Sequence, residues 1–173
     1  HFTGDTFTYS KAANGMMHYT DGSTENYDFG IDGKQYKTHA NRTAAWTADG
    51  NNAWNEVVKA GDTTLATNHY ALSADGKTLT IHYTGTKPDE TSFNDEAIYA
   101  RVTGTKGLAG KWRSTKVTIS APDVFVVTSS SEDEFHWDIP GYKESVGGKA
   151  DGSDLPITGP TVPPGLTLSV KFD

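Results

Sequence analysis

Seven aromatic side chains pose the first chemical question. Tyr27, Phe29, Trp46, Trp54, Tyr70, Tyr83 and Trp137 all fall in runs of strand character. Tryptophan and tyrosine join a large apolar body to one polar tip, which suits the wall of a small-molecule cavity. The same residues would also simply fill a core, and Phe29 and Ile31, which have no polar tip, fit that role best. Rings left exposed on a sheet would instead stack on sugars. The exposure of Trp46, Trp54 and Trp137 therefore separates a cavity from a carbohydrate-binding or structural surface module.

Histidines and carboxylates are the next candidates. Besides the terminal His1 there are His18, His39, His69, His82 and His136. Two imidazoles opposed across a strand pair would give two ligands to a divalent metal, or a general base near neutral pH. A metal needs a third ligand, and neither HxH nor HExxH spacing occurs. The threonines beside His69 and His82 make a solvent-facing polar row the simpler reading. The acidic run Ser131-Glu132-Asp133-Glu134 lacks the Asp-x-Asp-x-Asp-Gly spacing of a calcium loop and reads as a solvated loop. Asp89-Glu90 and Asp95-Glu96 read the same way. No Gly-x-Ser-x-Gly elbow and no phosphate-binding loop occurs. The expectation is no metal and no cofactor.

The element that must position these groups is the stretch 63–84, TTLATNHYALSADGKTLTIHYT. Two runs rich in β-branched and aromatic residues flank Ala74-Asp75-Gly76-Lys77, the pattern of a β-hairpin. A loop of either two or four residues sets Leu72 opposite Leu79, Tyr70 opposite Ile81 and Asn68 opposite Tyr83. Side chains alternate with period two, so these residues share one face. The other face pairs His69 with His82 and Thr67 with Thr84, and is expected to point outward.

The rest of the chain repeats this grammar. Short alternating runs at 6–11, 16–20, 26–31, 35–39, 42–48, 53–59, 96–102 and 111–119 read as strands. Five Asp-Gly pairs, at Asp21, Asp32, Asp49, Asp75 and Asp151, mark tight reversals. Tight turns leave no room for helical crossovers, so neighbouring strands must be antiparallel. No apolar period of 3.6 persists. The fold class is all-β, an antiparallel meander closing into a barrel, since closure removes sheet edges. Residues 1–106 form the main meander. Residues 107–173 supply further strands that complete or extend the same barrel: a buried strand at 124–128, then strands at 135–138, 142–146 and 166–172. An internal echo relates His18-Tyr19 to His136-Trp137 and Asp32-Gly33 to Asp151-Gly152, the mark of either a partial repeat or chance among similar turns.

Composition narrows the partners. A length of 173 residues can bury a real core. The net charge of −7 with no basic tract argues against nucleic acid and anionic membrane surfaces. With no cysteine, there is no disulfide framework and no thiol chemistry. No apolar run approaches the roughly 18 residues of a membrane span. No secretory leader opens the numbered chain, which reads as a mature or trimmed form.

Gly110-Lys111-Trp112 opens a strand, and Arg101 ends the strand before it. This combination resembles lipocalins, whose first strand begins Gly-x-Trp and whose last strand often places an Arg over that Trp. The meander and the DGKTLT hairpin also look like small secreted bacterial proteins of this lipocalin-like, calycin type. Here the Trp follows the Arg strand, an order that suits either a permuted barrel or the start of a second repeat. The resemblance implies a barrel open at one end that holds a small apolar or aromatic molecule, in a secreted or periplasmic protein. The rival of another class is an enzyme using the same cavity, an isomerase, cyclase or lyase with His or Tyr as acid–base groups.

Overall fold

The computed structural model describes residues 3–131 and 133–171. His1, Glu132 and Phe172, which entered the readings of the histidines, the acidic run and the last strand, lie outside the described residues. Strand accounts for 59% of the described residues and helix for 4%, as recurrent Asp-Gly turns without helical period require. The helix is two single 3-10 turns, Ala13–Gly15 and Pro140–Tyr142. The chain divides into two compact units.

The first unit comprises His1–Gly85 and Phe93–Ser120. Its strands are β1 (Thr6–Lys11), β2 (Met17–Thr20), β3 (Asn26–Phe29), β4 (Gln35–Lys37), β5 (Arg42–Ala48), β6 (Ala53–Ala60), β7 (Thr63–Leu72), β8 (Thr78–Thr86), β9 (Ser92–Arg101) and β10 (Gly110–Thr118). They form one antiparallel sheet, ordered β3-β2-β1-β10-β9-β8-β7-β6-β5-β4, that nearly closes into a barrel. This architecture is compatible with a lipocalin-like barrel. The strand that begins with Gly110 takes its place between β9 and β1.

The organising hairpin has the expected register. Leu72 faces Leu79, Tyr70 faces Ile81, Asn68 faces Tyr83 and His69 faces His82. Ser73 bonds through its amide to the carbonyl of Thr78, so the loop is the four residues Ala74 to Lys77. Asp75 shapes it by accepting from the Ser73 hydroxyl at 2.6 Å and the Lys77 amide at 3.0 Å. Those bonds, the hydroxyl first, hold the Asp75 carboxyl below its ordinary value. The face with Tyr70, Leu79 and Ile81 is buried, whereas the side chains of His69 and His82 are 41% and 45% exposed.

Two expectations of burial fail. Ile31 lies past the end of β3 and is exposed, because Gly30 and the Asp32-Gly33 turn carry the chain away from the strand. The strand expected to be buried at 124–128 begins only at Val126, and Val124, Phe125 and Val127 are 62%, 58% and 69% exposed. A run of β-branched and aromatic residues reports strand propensity, and an edge position decides burial.

The second unit comprises Thr86–Ser92 and Ala121–Asp173. β11 (Val126–Ser131), β12 (Glu134–Ile139) and β13 (Glu144–Lys149) make a three-stranded sheet in chain order. β14 (Asp151–Pro156) and β15 (Thr167–Lys171) pair separately. All five Asp-Gly glycines have φ between 71° and 89°. Gly152, however, lies within β14 beside a register shift, so Asp151-Gly152 makes a bulge where a turn was expected. Phe135, Val146 and Ala150 form the small core of this unit. Its buried Lys87 donates to the Ala121 carbonyl and the Asp123 carboxylate, each at 2.6 Å.

Candidate functional site: the barrel interior

Period-two alternation aims one face of every barrel strand inward. Tyr27 and Phe29 on β3, Trp46 on β5, Trp54 on β6, Tyr70 on β7 and Tyr83 on β8 come together there. Trp137 does not join them. It lies on β12 of the second unit, half-buried, with Phe125 stacked on it at 5.8 Å. The inner rings interlock. Phe29 stacks on Trp46 at 4.6 Å, Trp46 meets Tyr70 at 4.6 Å, and Tyr9 bridges Trp46 to Phe7. Phe29, Trp46, Tyr99 and Trp112 are wholly buried.

A carboxylate sits among these rings. Glu56 follows Trp54 by two residues on β6 and therefore shares its inward face. Its Oε1 accepts from the Tyr27 hydroxyl at 3.1 Å. Its Oε2 accepts from Asn68 Nδ2 at 2.8 Å and from the Tyr70 hydroxyl at 2.7 Å. No cation pairs with it among the described residues. Burial pushes the Glu56 carboxyl above its ordinary value, and the donors from Asn68, Tyr70 and Tyr27 pull it part of the way back. Burial first, and then the nearby Glu56 charge, push the Tyr27 and Tyr70 hydroxyls up, so both stay neutral donors. Asn68 Oδ1 is buried and without a partner among the described residues. Further along the interior the Tyr83 and Tyr99 hydroxyls lie 3.3 Å apart.

Glu56 and Asn68 are the functional candidates that the reading of the sequence missed. The signal was present in Trp54-x-Glu56 and in Asn68-x-Tyr70, where a polar residue sits two positions from an inward ring. Chemically the set offers aromatic faces, two neutral hydroxyl donors, one free amide acceptor and a carboxyl poised upward. It can orient a small molecule by hydrogen bonds, or pass a proton.

Arg101 sits beside the β7–β8 turn. Its guanidinium lies over the Trp112 ring at 4.1 Å. It donates to the carbonyls of Gly76, Ala109 and Gly107 at 2.5, 2.7 and 2.6 Å. Trp112 Nε1 donates to the Leu108 carbonyl at 2.9 Å. Gly110 has φ +146°, and a Cβ there would strike the Thr103 carbonyl oxygen. The glycine before the tryptophan is thus a steric requirement of this corner.

The histidines lie elsewhere. His18 meets Asp28 at 2.6 Å, His69 meets Asp49 at 3.3 Å, His82 meets Glu96 at 3.8 Å and His136 meets Asp138 at 2.9 Å. Each ion pair is substantially exposed. No group of three or more His, Cys, Asp or Glu side chains able to hold a metal is found among the described residues. No family model, curated protein or solved structure matches this chain.

Proposed function

We propose that this chain binds a small apolar or aromatic molecule in the interior of its barrel, as a secreted or periplasmic protein of permuted calycin type. The observation that carries the reading is the Glu56 set. A core built only for stability gains little from a buried carboxylate, and apolar replacement of buried charge is often neutral or stabilising. Here the carboxylate is kept, ringed by neutral donors, beside an unpartnered amide oxygen. Such a group fixes the orientation of a ligand whose body lies against Tyr27, Trp46 and Tyr70. Arg101 over Trp112, with β10 between β9 and β1, supports the calycin-type reading. The interlocked rings must shift to admit a guest, which costs affinity. Burial of Trp46 and Trp54 favours this reading over a sugar-stacking surface.

The test is titration of the folded protein with an environment-sensitive apolar dye. Saturable binding at a single class of site with quenching of Trp fluorescence is expected, and Glu56→Gln is expected to change the affinity. Unchanged fluorescence of both dye and protein would reject the reading. The upward-shifted carboxyl between two tyrosine hydroxyls favours one second reading, an isomerase, cyclase or lyase using Glu56 and Tyr70 as acid–base groups. In that case Glu56→Gln would abolish turnover while dye binding persisted.

A further inference from the structure

The register of the barrel sets Trp46, Glu56 and Asn68 in one row. Trp46 pairs with Glu56 and Glu56 with Asn68 across β5, β6 and β7, so their side chains share the inward face at one level. What this row can still accept decides what it can hold. An ionised carboxylate offers about four lone-pair sites, shared between its two oxygens. Glu56 Oε2 takes donors from Asn68 Nδ2 and the Tyr70 hydroxyl, whereas Oε1 takes only the Tyr27 hydroxyl. One site on Oε1 is therefore open among the described residues. Asn68 is 6% exposed, and its unpartnered Oδ1 is a second open acceptor on the same level.

Charge points the same way. Glu56 is buried and faces no cation among the described residues. Glu25 adds a second negative charge to its field. Tyr27, Trp46 and Tyr70 stand around the carboxylate, and aromatic faces attract cations. Trp46 Nε1 is the unpartnered donor on the row, and it approaches the Tyr27 hydroxyl. An anion entering here would meet charge of its own sign. A neutral alcohol would leave the carboxylate without a counter-charge.

We propose that the guest of the barrel interior is an organic primary ammonium: its N–H groups donate to Glu56 Oε1 and Asn68 Oδ1, and its apolar or aromatic body lies against Tyr27, Trp46 and Tyr70. This names the ligand class of the binding site proposed above and rests on that reading. The head is primary because the open acceptors take N–H donors, which a quaternary ammonium lacks. The ammonium gives up its hydration on entry, and charge-assisted bonds and ring faces offset that loss. The carboxylate has already lost its own water in folding, so only one of the two desolvation costs falls on binding.

Calorimetric titration of the full chain with phenethylamine, phenethyl alcohol and phenylacetate tests this at neutral pH and physiological salt, where the amine is charged. The three share a ring and a short arm and differ in the head group. The amine should bind at least about tenfold more tightly than the alcohol, and phenylacetate more weakly than either. Glu56→Gln keeps the shape and removes the charge, and should bring amine and alcohol to about equal affinity. Asp62→Asn, in the exposed turn between β6 and β7, also removes one negative charge and should leave the preference intact. An amine that binds no better than the alcohol, a preference that survives Glu56→Gln in full, or one lost equally in Asp62→Asn would each overturn the proposal. In those cases binding of the apolar dye still upholds the binding reading on which it rests. Binding of neither the dye nor any of the three compounds overturns both. The comparison on the parent chain decides the matter even if Glu56→Gln fails to fold.

Discussion

In the first unit ten strands share one nearly closed sheet, whose two ends carry Asp28 and Lys37. In the second, five strands divide between two small sheets, and residues 124–127 leave four apolar side chains in water. The two are alike in Gly and in summed β-branched content, while all seven prolines lie in the second unit. Near-closure of the sheet is the structural difference. The nearly closed sheet gives every strand but β3 and β4 two neighbours and surrounds its inward side chains with others, enough to hold Glu56 buried among rings. A three-stranded sheet has an outer strand by construction, and its inner face ends where that strand ends.

Substitution of large rings is the most forceful way to break this contrast. Trp46 is wholly buried, stacks on Phe29 and touches Tyr70, so Trp46→Ala should cost about 3–5 kcal/mol. Val127→Ala, at a position 69% exposed, should cost no more than about 0.5 kcal/mol. Urea denaturation of the two variants measures both. Equal costs would mean that the barrel interior is not the cooperative core of the first unit.

A pH series sharpens the same contrast. The Glu56 carboxyl holds its proton more tightly in the fold than in the unfolded chain, because burial outweighs its three donors. From the ordinary value of 4.5 upward, the unfolded chain gives up this proton first, so Glu56 makes stability fall as pH rises, until the folded carboxyl has ionised as well. Glu56→Gln removes that dependence. The variant should gain stability relative to the parent as pH rises from acid to neutral, and the two should converge in acid. Parallel pH profiles would show that Glu56 does not change its protonation preference on folding.

Much of the first unit was legible because its signals are local. Asp75-Gly76 and period-two alternation fix the hairpin register with no knowledge of the rest of the chain, and Arg42–Ala48 has the bounds its alternation predicts. What was not legible depends on which strand lies beside which. Glu56 reads as a solvent-facing charge until the inward face of β6 is known. The apolar run at 124–127 reads as buried until β11 is found at an edge. Trp137 matches the barrel tryptophans in type, and only the tertiary arrangement places it in the other unit. Asp151-Gly152 supplies the same left-handed glycine to a bulge that its counterparts supply to turns.

The smallest expected effect comes from the two faces of the organising hairpin itself. His69 and His82 are cross-strand neighbours, and each leans toward a carboxylate, Asp49 at 3.3 Å and Glu96 at 3.8 Å. Both ion pairs are substantially exposed, and pairs of that kind contribute about 0–1 kcal/mol. Replacing both histidines with threonine keeps strand propensity and the polar character of the face. The double variant should stay within about 0.5 kcal/mol of the parent in urea denaturation and should bind the apolar dye unchanged. Leu79→Ala, on the opposite face and wholly buried, should cost about 2–5 kcal/mol. The two variants differ only in which side of one strand pair they touch. A dye affinity that changes in the histidine variant would place the imidazoles in the binding chemistry. Unchanged binding leaves that chemistry to Glu56 and the tyrosines around it.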